Sequence, residues 1–515
     1  MAEQKGVPYD RGWAWMIVFG YFVSSFIMVG VAKSYGILMK PLMEEFNVDI
    51  TVASLGMAVG AGIYTLAAPV FVALGQHFTE RSVVMFGAVF ACIFISLCYL
   101  KIGIWYLIWM YGIGAGIGNS CLFGNGLVMI GSYFKRIRTV ANGVALSGAS
   151  VGTFAIPPLM EFLLQTYGLP GTYLILGGLY LSVAVCGALY RPIKFYTRET
   201  KAGENDEKHK LIKEDLNDST RKRTNFVQDK ENVVVSNTSD PYTDLEIPIE
   251  TEVNREKSVS FVTSTGSLVM GSMESLAQIV QADESKKLSN SVTIKICGKS
   301  IVIPKIFDFS VLKMPAVVFY TIFSFLVFFG YFNFIIFMPL DADSRGFKSF
   351  QKAWLVSCAG IGDLIGRVVV GIVGDLRIIE RYKIIGATCI FCGINIFIFN
   401  FATVFWWCAI HTTLYGFFGG AYIALTSIVL IDMVGIEIMP KAIGVILLIQ
   451  GLGAAIGQPV EGAIKGSSGS FSLLNYINSS LMIFGGCFMF LYPFVRDNAK
   501  KSKDKTGAEQ EEEEA

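Results

Sequence analysis

The chain has 515 residues, of which 53% are hydrophobic and only 16% are charged, and its formal net charge is +1. Soluble domains carry roughly 25% charged residues, so this composition excludes an ordinary soluble enzyme. The balanced charge also provides no overall field that would attract nucleic acid. The apolar residues form long runs that no aqueous fold covers, and we therefore expect the chain to be embedded in a lipid bilayer.

Twelve apolar runs approach the length of about 20 residues that a membrane-spanning helix needs. In chain order they are Trp13–Leu38, Ala53–Leu74, Val83–Leu100, Ile104–Ile130, Val140–Leu164, Thr172–Tyr190, Ala316–Pro339, Ala353–Gly374, Ile384–Ala402, Phe405–Val434, Ala442–Ile464 and Leu474–Val495. The pattern predicts an all-α integral membrane fold with 12 transmembrane helices, arranged as two six-helix bundles at 13–192 and 313–496.

Polar segments flank and separate the two predicted bundles. Residues 1–12 and 497–515 are tails, the second of them acidic at its end, and residues 193–312 are rich in Lys, Glu, Asp, Asn and Ser. Such low hydrophobicity cannot support a packed core, so we predict a largely disordered central loop. Its apolar end, Val292–Leu312, is predicted to form a short amphipathic segment on the membrane surface.

Basic residues in the short loops predict the orientation of the bundles. Most of them lie on the side that also holds the tails and the central loop, namely Arg81, Lys135, Arg136, Arg138, Arg377, Arg381, Lys383 and Lys441. Cytoplasmic loops carry the excess of Lys and Arg, so both termini are expected in the cytoplasm. Arg345, Lys348 and Lys352, between the seventh and eighth spans, do not follow the rule.

Lys33, Asp363 and Arg367 are the strongest candidates for a functional site, because an ionisable group at membrane depth costs at least a few kcal/mol unless it is paired or hydrated. Lys33 is near the outer end of the first span and either binds a ligand or extends its ammonium to the interface. Asp363 and Arg367 lie four residues apart and share one helix face. They either join helices as an ion pair, or form a site where Arg367 binds a carboxylate and Asp363 exchanges a proton or balances charge.

Weaker candidates lie elsewhere in the spans. Glu161 and Glu461 are near predicted helix ends, where a hydrated interface would solvate them. His411 is more typical of a structural histidine than of a titrating site. Residues that we consider for a substrate path or gate are Tyr35, Phe417, Phe418 and His411.

A repeated loop pattern supports the interpretation as two related halves. Gly75–Arg81 follows the second span and Gly371–Arg377 follows the eighth, with small, acidic and basic residues at similar positions. The second copy resembles the loop motif of the major facilitator superfamily. That resemblance implies a cytoplasmic gate that includes Asp375, Arg377 and Arg81.

Motifs for other chemistry are absent from the sequence. There is no nucleotide-binding loop of the Walker type, no HExxH motif and no serine elbow. Nine of the 10 cysteines lie in apolar runs, so no disulfide framework or metal site is expected. We therefore predict a transporter rather than an enzyme, with no cofactor, in which any uphill work comes from an ion or proton gradient.

Two stretches closely resemble the signatures of the monocarboxylate transporter family. The first enters the first span, and the second runs from Tyr133 into the fifth span. The residues that carry the resemblance are Asp10, Gly12, Trp13, Trp15, Tyr133, Phe134, Lys135, Arg136, Gly143, Gly148 and Gly152. Arg11 replaces a usual glycine, and Gln458 stands where paired prolines are common, so the chain resembles a divergent member.

The resemblance implies a secondary transporter of small monocarboxylates such as lactate or pyruvate, located in the plasma membrane and working by electroneutral H⁺ symport through alternating access. Lys33 matches the family's first-helix lysine, implicated in proton and substrate binding. Asp363 and Arg367 match its eighth-helix pair, whose arginine holds the carboxylate. Many members also need a single-span immunoglobulin-like chaperone such as basigin.

Two other functions stay open. Several relatives of that family move solutes such as aromatic amino acids, creatine or carnitine without evident proton coupling, so the chain is alternatively a facilitative transporter of an amino-acid-like or zwitterionic solute. A non-transporting membrane sensor or scaffold is the remaining alternative. Three costly intramembrane charges argue against the scaffold, which has no need for them.

Overall fold

A computed structural model describes residues 10–134, 137–191, 291–296, 299–304, 309–375, 379–435 and 438–496. These residues include nearly all of both predicted bundles. Most of the predicted tails and of the central loop lie outside them, as do Lys135, Arg136 and Arg377. The prediction of disorder for the central loop therefore stays a prediction.

The described residues form mainly α-helices, which we number in chain order. The first half contains α1 (Trp13–Lys33), α2 (Tyr35–Phe46), α3 (Ile50–His77), α4 (Glu80–Leu97), α5 (Ile104–Tyr133) and α6 (Arg138–Ala188). The second half contains α7 (Pro315–Ser344), α8 (Ser349–Asp375), α9 (Arg381–Phe399), α10 (Phe405–Val434), α11 (Met439–Ser468) and α12 (Phe471–Met489).

Helix α6 is long enough to cross a bilayer twice. It has 51 residues and is interrupted at Gly168, whose φ of 65° and ψ of −174° are not helical. Glycine adopts this backbone conformation without the clash that a Cβ would cause. Among the described residues, 11 helices are long and apolar enough to cross a membrane, and α6 counts as two crossings. The predicted 12-helix fold is thus confirmed.

The first predicted span is shorter than expected. It was predicted to continue to Leu38, but α1 ends at Lys33 and the short helix α2 follows Ser34. The Ser34 hydroxyl donates to the Gly30 carbonyl at 2.6 Å, and such a bond to the preceding turn often bends a helix. Lys33 therefore occupies the last turn of α1, where the helix dipole favours a cation.

The apolar end of the central segment contains a two-stranded hairpin. Strands β1 (Ser291–Ile296) and β2 (Lys299–Pro304) pair antiparallel, with Ser291 opposite Pro304, and a 3-10 helix (Phe309–Lys313) precedes α7. The residues of β1 alternate between polar and apolar, which is the period of a strand. The all-α prediction missed this element, and its predicted position on the membrane surface stays a prediction.

The two halves meet along two seams. Helix α3 packs along α11, and α6 packs along α8. At the second seam, a Cβ added to Gly360 of α8 would lie 2.5 Å from the backbone nitrogen of Phe154 of α6, so the helices approach as closely as glycine permits. These seams flank the space in which the predicted charged residues lie.

Candidate substrate site

Lys33, Asp363 and Arg367 meet between the two halves, and we call them the charged cluster. Arg367 Nη2 donates to both carboxylate oxygens of Asp363, at 3.1 and 2.9 Å. Lys33 Nζ lies 3.9 Å from Asp363 Oδ2, which also accepts a hydrogen bond of 2.7 Å from the Ser150 hydroxyl of α6. The structure therefore brings together the three residues that the sequence singled out, and adds Ser150.

The charged cluster is buried and carries an excess positive charge. Asp363 is 1% exposed, and Lys33 and Arg367 are each 7% exposed. Two cations surround one carboxylate, so the formal charge of the cluster is +1. A buried charge without a partner is unfavourable. The cluster is therefore suited to bind one monovalent anion.

Two donor groups of Arg367 are available for a ligand. Its Nε and Nη1 atoms are buried and have no hydrogen-bond partner within the described part of the chain. A buried donor left unpaired costs about 1–3 kcal/mol, and more when it is charged. Because guanidinium N–H groups match the geometry of a carboxylate, a bound carboxylate would compensate this cost.

A cavity of about 160 Å³ lies beside the charged cluster. Lys33 and Arg367 both line it. The wall is otherwise mostly apolar and aromatic, with a few polar groups, and includes Tyr64, Tyr111, Asn119, Tyr180, Phe328, Tyr331, Phe332 and Gln450. Both halves contribute to this wall, as expected for a site that is reached from alternate sides.

Tyr331 connects the aromatic wall to the charged cluster. Lys33 Nζ lies 5.9 Å from the centre of the Tyr331 ring, within the range of a cation–π contact. The ring stacks on Tyr415 at 5.1 Å, and the Tyr415 hydroxyl donates to the Tyr331 carbonyl at 2.5 Å. Tyr331 is therefore held firmly against the side chain of Lys33.

Ion pairs close one end of the bundle over this cavity. We call the end at which α1 and α7 begin the near face and the opposite end the far face. At the far face, Asp343 of α7 binds Lys40 of α2 at 2.8 Å and Lys352 of α8 at 2.6 Å. Wall residues such as Pro69 and Leu447 extend the cavity toward the near face instead.

The far-face pairs also explain two of the cations that departed from the charge rule. Arg345 binds Asp341 at 2.8 Å and donates to the Phe399 and Ala402 carbonyls at 3.0 and 2.5 Å. Lys352 binds Asp343, as described above. Because Arg345 and Lys352 are both paired with acids, they contribute little to the net charge of this loop. Of the three cations, only Lys348 is exposed.

The two signature segments contact each other at the near face. The Asp10 amide donates to the Tyr133 carbonyl at 3.1 Å, and Asp10 Oδ1 accepts from the Ile137 amide at 3.3 Å. The ring of Trp15 packs edge-on against Phe134 at 5.4 Å. The segments thus join the start of α1 to the turn between α5 and α6.

Other signature residues also have structural contacts. Trp13 Nε1 donates to the Leu189 carbonyl at 2.9 Å, and Gly12 has a φ of 59°. Gly148 and Gly152 of α6 pack directly against the backbone of α1, and Gly143 lies on the same helix.

The predicted gate motif is described only in part. Asp375 is the last residue of α8, and Arg81 is exposed in the first turn of α4. Arg377 lies outside the described residues. A different near-face ion pair is present, in which Arg381 of α9 contacts Asp432 of α10 at 3.2 Å.

None of the four path or gate candidates lines the described cavity. The Tyr35 hydroxyl donates to the Ala53 carbonyl at 2.9 Å, and its ring lies 5.0 Å from Tyr111, a wall residue. Phe417 and Phe418 contact each other at 5.4 Å, and Phe418 stacks on Phe391 at 5.8 Å. His411 Nδ1 bonds Asn395 Oδ1 at 2.7 Å.

The prediction for Glu461 was wrong. It was expected at a hydrated helix end, but Glu461 is fully buried within α11. Its carboxylate accepts from Asn333 Nδ2 of α7 at 3.0 Å and from Asn478 Nδ2 of α12 at 3.2 Å. Helix α11 continues to Ser468, past the predicted end at Ile464, so Glu461 lies further from the helix end than predicted. Its side chain faces the core of the second half. Glu161 is also buried and accepts from Gln165 Nε2 at 3.0 Å.

Comparison with known proteins agrees with this architecture. The sequence matches the family model of the Major Facilitator Superfamily over residues 17–272 and 320–514. It is 24% identical to monocarboxylate transporter 12-B of Danio rerio over 96% of this chain and 91% of the relative. It is 26% identical to monocarboxylate transporter 3 of Gallus gallus, over 96% of this chain and 80% of the relative. With monocarboxylate transporter 7 of Homo sapiens the identity is 24%, over 91% and 83% respectively. The resemblance noted in the sequence is thereby confirmed.

Proposed function

Because the chain belongs to the Major Facilitator Superfamily and is thus a multi-pass membrane transporter, we propose that it moves small monocarboxylates across the membrane with H⁺ as the coupling ion. The relatives named above are monocarboxylate transporters, which supports this substrate class. Lactate-like and pyruvate-like acids are the substrates that we propose. Coupling to H⁺ makes the symport of a monoanion electroneutral.

The observation that carries the proposal is the pair of unpartnered donors on Arg367. They belong to a buried residue that lines the cavity, among the described residues, and the cluster around them has a formal charge of +1. A monocarboxylate supplies both the acceptors and the negative charge that this environment lacks. A neutral solute would supply neither charge compensation nor a bidentate partner.

We assign separate roles to the members of the charged cluster. Arg367 binds the substrate carboxylate, while Asp363 holds Arg367 in position through two hydrogen bonds. Lys33 lies at 3.9 Å from Asp363, beyond hydrogen-bond distance, so it is the member that moves most easily toward an incoming anion. Lys33 and Asp363 are also the groups at which the family resemblance suggests proton exchange.

Alternating access would follow from rocking of the halves about their seams. The far-face pair of Lys40 and Asp343 must break for the cavity to open there, and the close glycine contact at Gly360 lets α8 slide on α6. The substrate would enter from one face, bind to Arg367, and leave when the other face opens. We place the near face in the cytoplasm and the protein in the plasma membrane, because the short-loop cations lie at the near face.

Uptake into proteoliposomes tests the proposal. Radiolabelled lactate, pyruvate and a panel of amino acids are offered at external pH values of about 6 and about 7.5, which bracket the ordinary histidine pKa of about 6.5. The proteins are the wild type, Arg367→Ala and Lys348→Ala, the last of which removes an exposed cation from the far face.

We expect acid-stimulated uptake of monocarboxylates by the wild type and by Lys348→Ala. Arg367→Ala should lower this uptake at least about tenfold, because truncating one partner of a buried charged contact costs about 2–5 kcal/mol. Uptake that is independent of pH, or that is confined to amino-acid-like solutes, would replace the proposal with a facilitative transporter. If no solute is transported, the sensor or scaffold alternative gains support.

A further inference from the structure

Glu461 is a buried carboxyl group that the proposed substrate site does not use. Its two oxygens accept one hydrogen bond each, from Asn333 Nδ2 at 3.0 Å and Asn478 Nδ2 at 3.2 Å. These amides come from α7 and α12, and Asn333, Asn478 and Glu461 are all at most 1% exposed. The carboxyl therefore lies inside the second half, enclosed by three helices.

None of the described residues forms an ion pair with Glu461. Lys465, one turn further along α11, turns away: its ammonium donates to the Gly469 carbonyl at 2.5 Å and lies 4.5 Å from the centre of the Phe471 ring. On α7, Asp341 and Arg345 bind each other, about two turns nearer the far face.

Among the described residues, the other elements packed against α11 add no cation beside Glu461. The 3-10 helix before α7 carries Lys313, which is exposed, and Asp49 before α3 is exposed as well. Helix α12 has no acidic or basic residue, and α3 has only His77 at its near-face end. On α10, His411 bonds Asn395 and Asp432 pairs with Arg381.

The surroundings of Glu461 and of Asp363 favour opposite charge states. Asp363 has two cations and a hydroxyl beside it, which stabilise its ionised form. Glu461 has two neutral amides, and a buried carboxylate without a cation is strongly disfavoured relative to the neutral acid. Asn333 Oδ1 and Asn478 Oδ1 are buried and lack partners within the described chain. Because an amide presents either end, it offers a protonated carboxyl an acceptor as well as a donor.

We propose that Glu461, and not Lys33 or Asp363, is the proton-binding group that makes transport pH dependent, at a site separate from the charged cluster. The proposal rests on the proposed function of H⁺ symport and names the group that carries the proton. The charged cluster then binds the anion, while Glu461 is neutralised by the proton.

Helix α11 links this carboxyl to the moving parts of the molecule. Its residues Gln450 and Ala454 line the cavity, and its Gly451 packs directly on Thr65 of α3 across the seam. Further along, a Cβ on Gly462, the residue after Glu461, would lie 2.7 Å from Thr51 Cα. Loss of the proton leaves a negative charge on Glu461, in the packed core beside this seam. Solvation of that carboxylate requires α11 to shift against α3.

The variant Glu461→Gln tests this proposal, because glutamine has the shape of the protonated acid and cannot ionise. The control is Glu161→Gln, which neutralises the buried glutamate of the first half. In proteoliposomes, we expect substrate exchange at equal pH to stay within about twofold of wild type for both variants. The ratio of net uptake at a pH of about 6 to that at about 7.5 should fall to about one in Glu461→Gln and stay at the wild-type value in Glu161→Gln. If Glu461→Gln slows exchange and net uptake equally and leaves the pH ratio unchanged, the role is structural and the proposal fails.

Infrared difference spectroscopy gives a readout that does not depend on transport. The purified wild type is titrated from about pH 5 to about pH 9, a range that extends well above the ordinary glutamate pKa of about 4.3. We expect the carbonyl stretch of a protonated carboxylic acid in the wild type and in Glu161→Gln, and its absence in Glu461→Gln. A Glu461 that is ionised over the whole range contradicts the proposal.

The two experiments separate the failure of this proposal from the failure of H⁺ symport. If the wild type shows no acid-stimulated uptake, the proposed symport fails even when the infrared band identifies a protonated Glu461. Carboxylate bands that respond to Na⁺ at fixed pH, but not to K⁺ or choline, would identify a cation site at Glu461 and overturn the proposal.

Discussion

At the scale of single residues, Arg367 and Lys33 hold Asp363 in different ways. Arg367 makes two hydrogen bonds with one of its nitrogen atoms and keeps two others unpaired among the described residues. Lys33 makes a longer contact and also faces an aromatic ring. A planar guanidinium can serve two carboxylates at once, whereas an ammonium is a single point of charge. The proposed site should therefore depend on arginine at position 367, and not merely on a cation.

This difference predicts the effect of Arg367→Lys. The lysine retains the charge but cannot bond Asp363 and a substrate carboxylate with two separate edges, so we expect the KM for a monocarboxylate to rise about tenfold, or about 1.4 kcal/mol. Initial uptake rates over a range of substrate concentrations measure this change, with Lys348→Arg as the matched exposed exchange. An unchanged KM in Arg367→Lys would mean that the carboxylate binds elsewhere.

The charge balance of the cluster predicts the effect of Asp363→Asn on stability. This variant leaves two buried cations without a carboxylate, and removing one partner of a buried ion pair costs about 3–5 kcal/mol. We expect a clear fall in the thermal unfolding temperature in detergent. The double variant Lys33→Met and Asp363→Asn should recover part of that loss, because it restores the original formal charge of +1. A single variant as stable as the wild type would show that Asp363 does not compensate the cations.

At the scale of helices, the main determinants of the site are the places where helices stop. Helix α1 ends at Lys33, so that its ammonium lies beside Asp363 and is not part of a continuous span. Helix α6 bends at Gly168, which converts one helix of 51 residues into two crossings of opposite direction. Each break lies at a single small residue, Ser34 or Gly168, and determines the position of the helical segment that follows it.

The break in α6 predicts that Gly168 tolerates no side chain. Gly168→Ala places a Cβ at a φ of 65° and a ψ of −174°, a region that is nearly exclusive to glycine and costs other residues about 1–3 kcal/mol. We expect a lower unfolding temperature and lower expression. Gly178→Ala, in the second arm, is the control: a Cβ there meets no atom within 4 Å, so a neutral or slightly stabilising effect is expected. Equal effects of the two variants would argue against a strained break.

The sequence predicts most spans well because apolar length alone defines them. The run Phe405–Val434, for example, coincides with α10. The break after Lys33 was missed because Ser34 is compatible with a helix interior, and its bend depends on a local hydrogen bond. The all-α prediction misses the hairpin at 291–304 because its few apolar residues also fit an amphipathic surface segment, and only their alternation indicates a strand.

The charged residues of the site were predictable from their cost at membrane depth, but its wall was not. The chain has 21 tyrosines, and a helix that is buried on most sides has no periodicity that separates cavity-facing residues from packed ones. Tyr64, Tyr111 and Tyr180 therefore carry no sequence signal. The burial of Glu461 is not predictable from its distance to a helix end, because burial depends on which neighbouring helix the residue faces.

At the scale of the whole molecule, the described contacts close the far face. Lys40 and Asp343 connect the two halves there, with side chains that are 42% and 25% exposed. An ion pair this exposed contributes up to about 1 kcal/mol. This ion pair thus adds only a small energy to the closed far face, as the proposed alternating access requires.

We accordingly expect Lys40→Gln to raise the population open at the far face by up to about fivefold. Spin labels at Glu44 of α2 and Ser344 of α7 report the distance between the halves. The hydrogen bond from Lys40 to Asp343 raises the pKa of Lys40 above its ordinary value, so Lys40 stays charged between pH values of about 6 and 8. This range also lies well above the ordinary aspartate pKa of about 3.9, so the pair is intact throughout it. The distance should therefore respond to salt and not to pH between about 6 and 8. A variant with wild-type distances would show that other contacts close this face.

The balance of buried charge has a consequence for the response to membrane voltage. With a monoanion on the charged cluster and a proton on Glu461, the transported unit is neutral. Without either ligand, the excess positive charge of the cluster and the negative charge of Glu461 again cancel. Each uncompensated charge that crosses a membrane potential of 100 mV changes its energy by about 2.3 kcal/mol. If the proposed roles hold, the distribution of these four side chains predicts that both the loaded and the empty carrier reorient at rates independent of voltage, so that a membrane potential neither drives nor impedes the cycle.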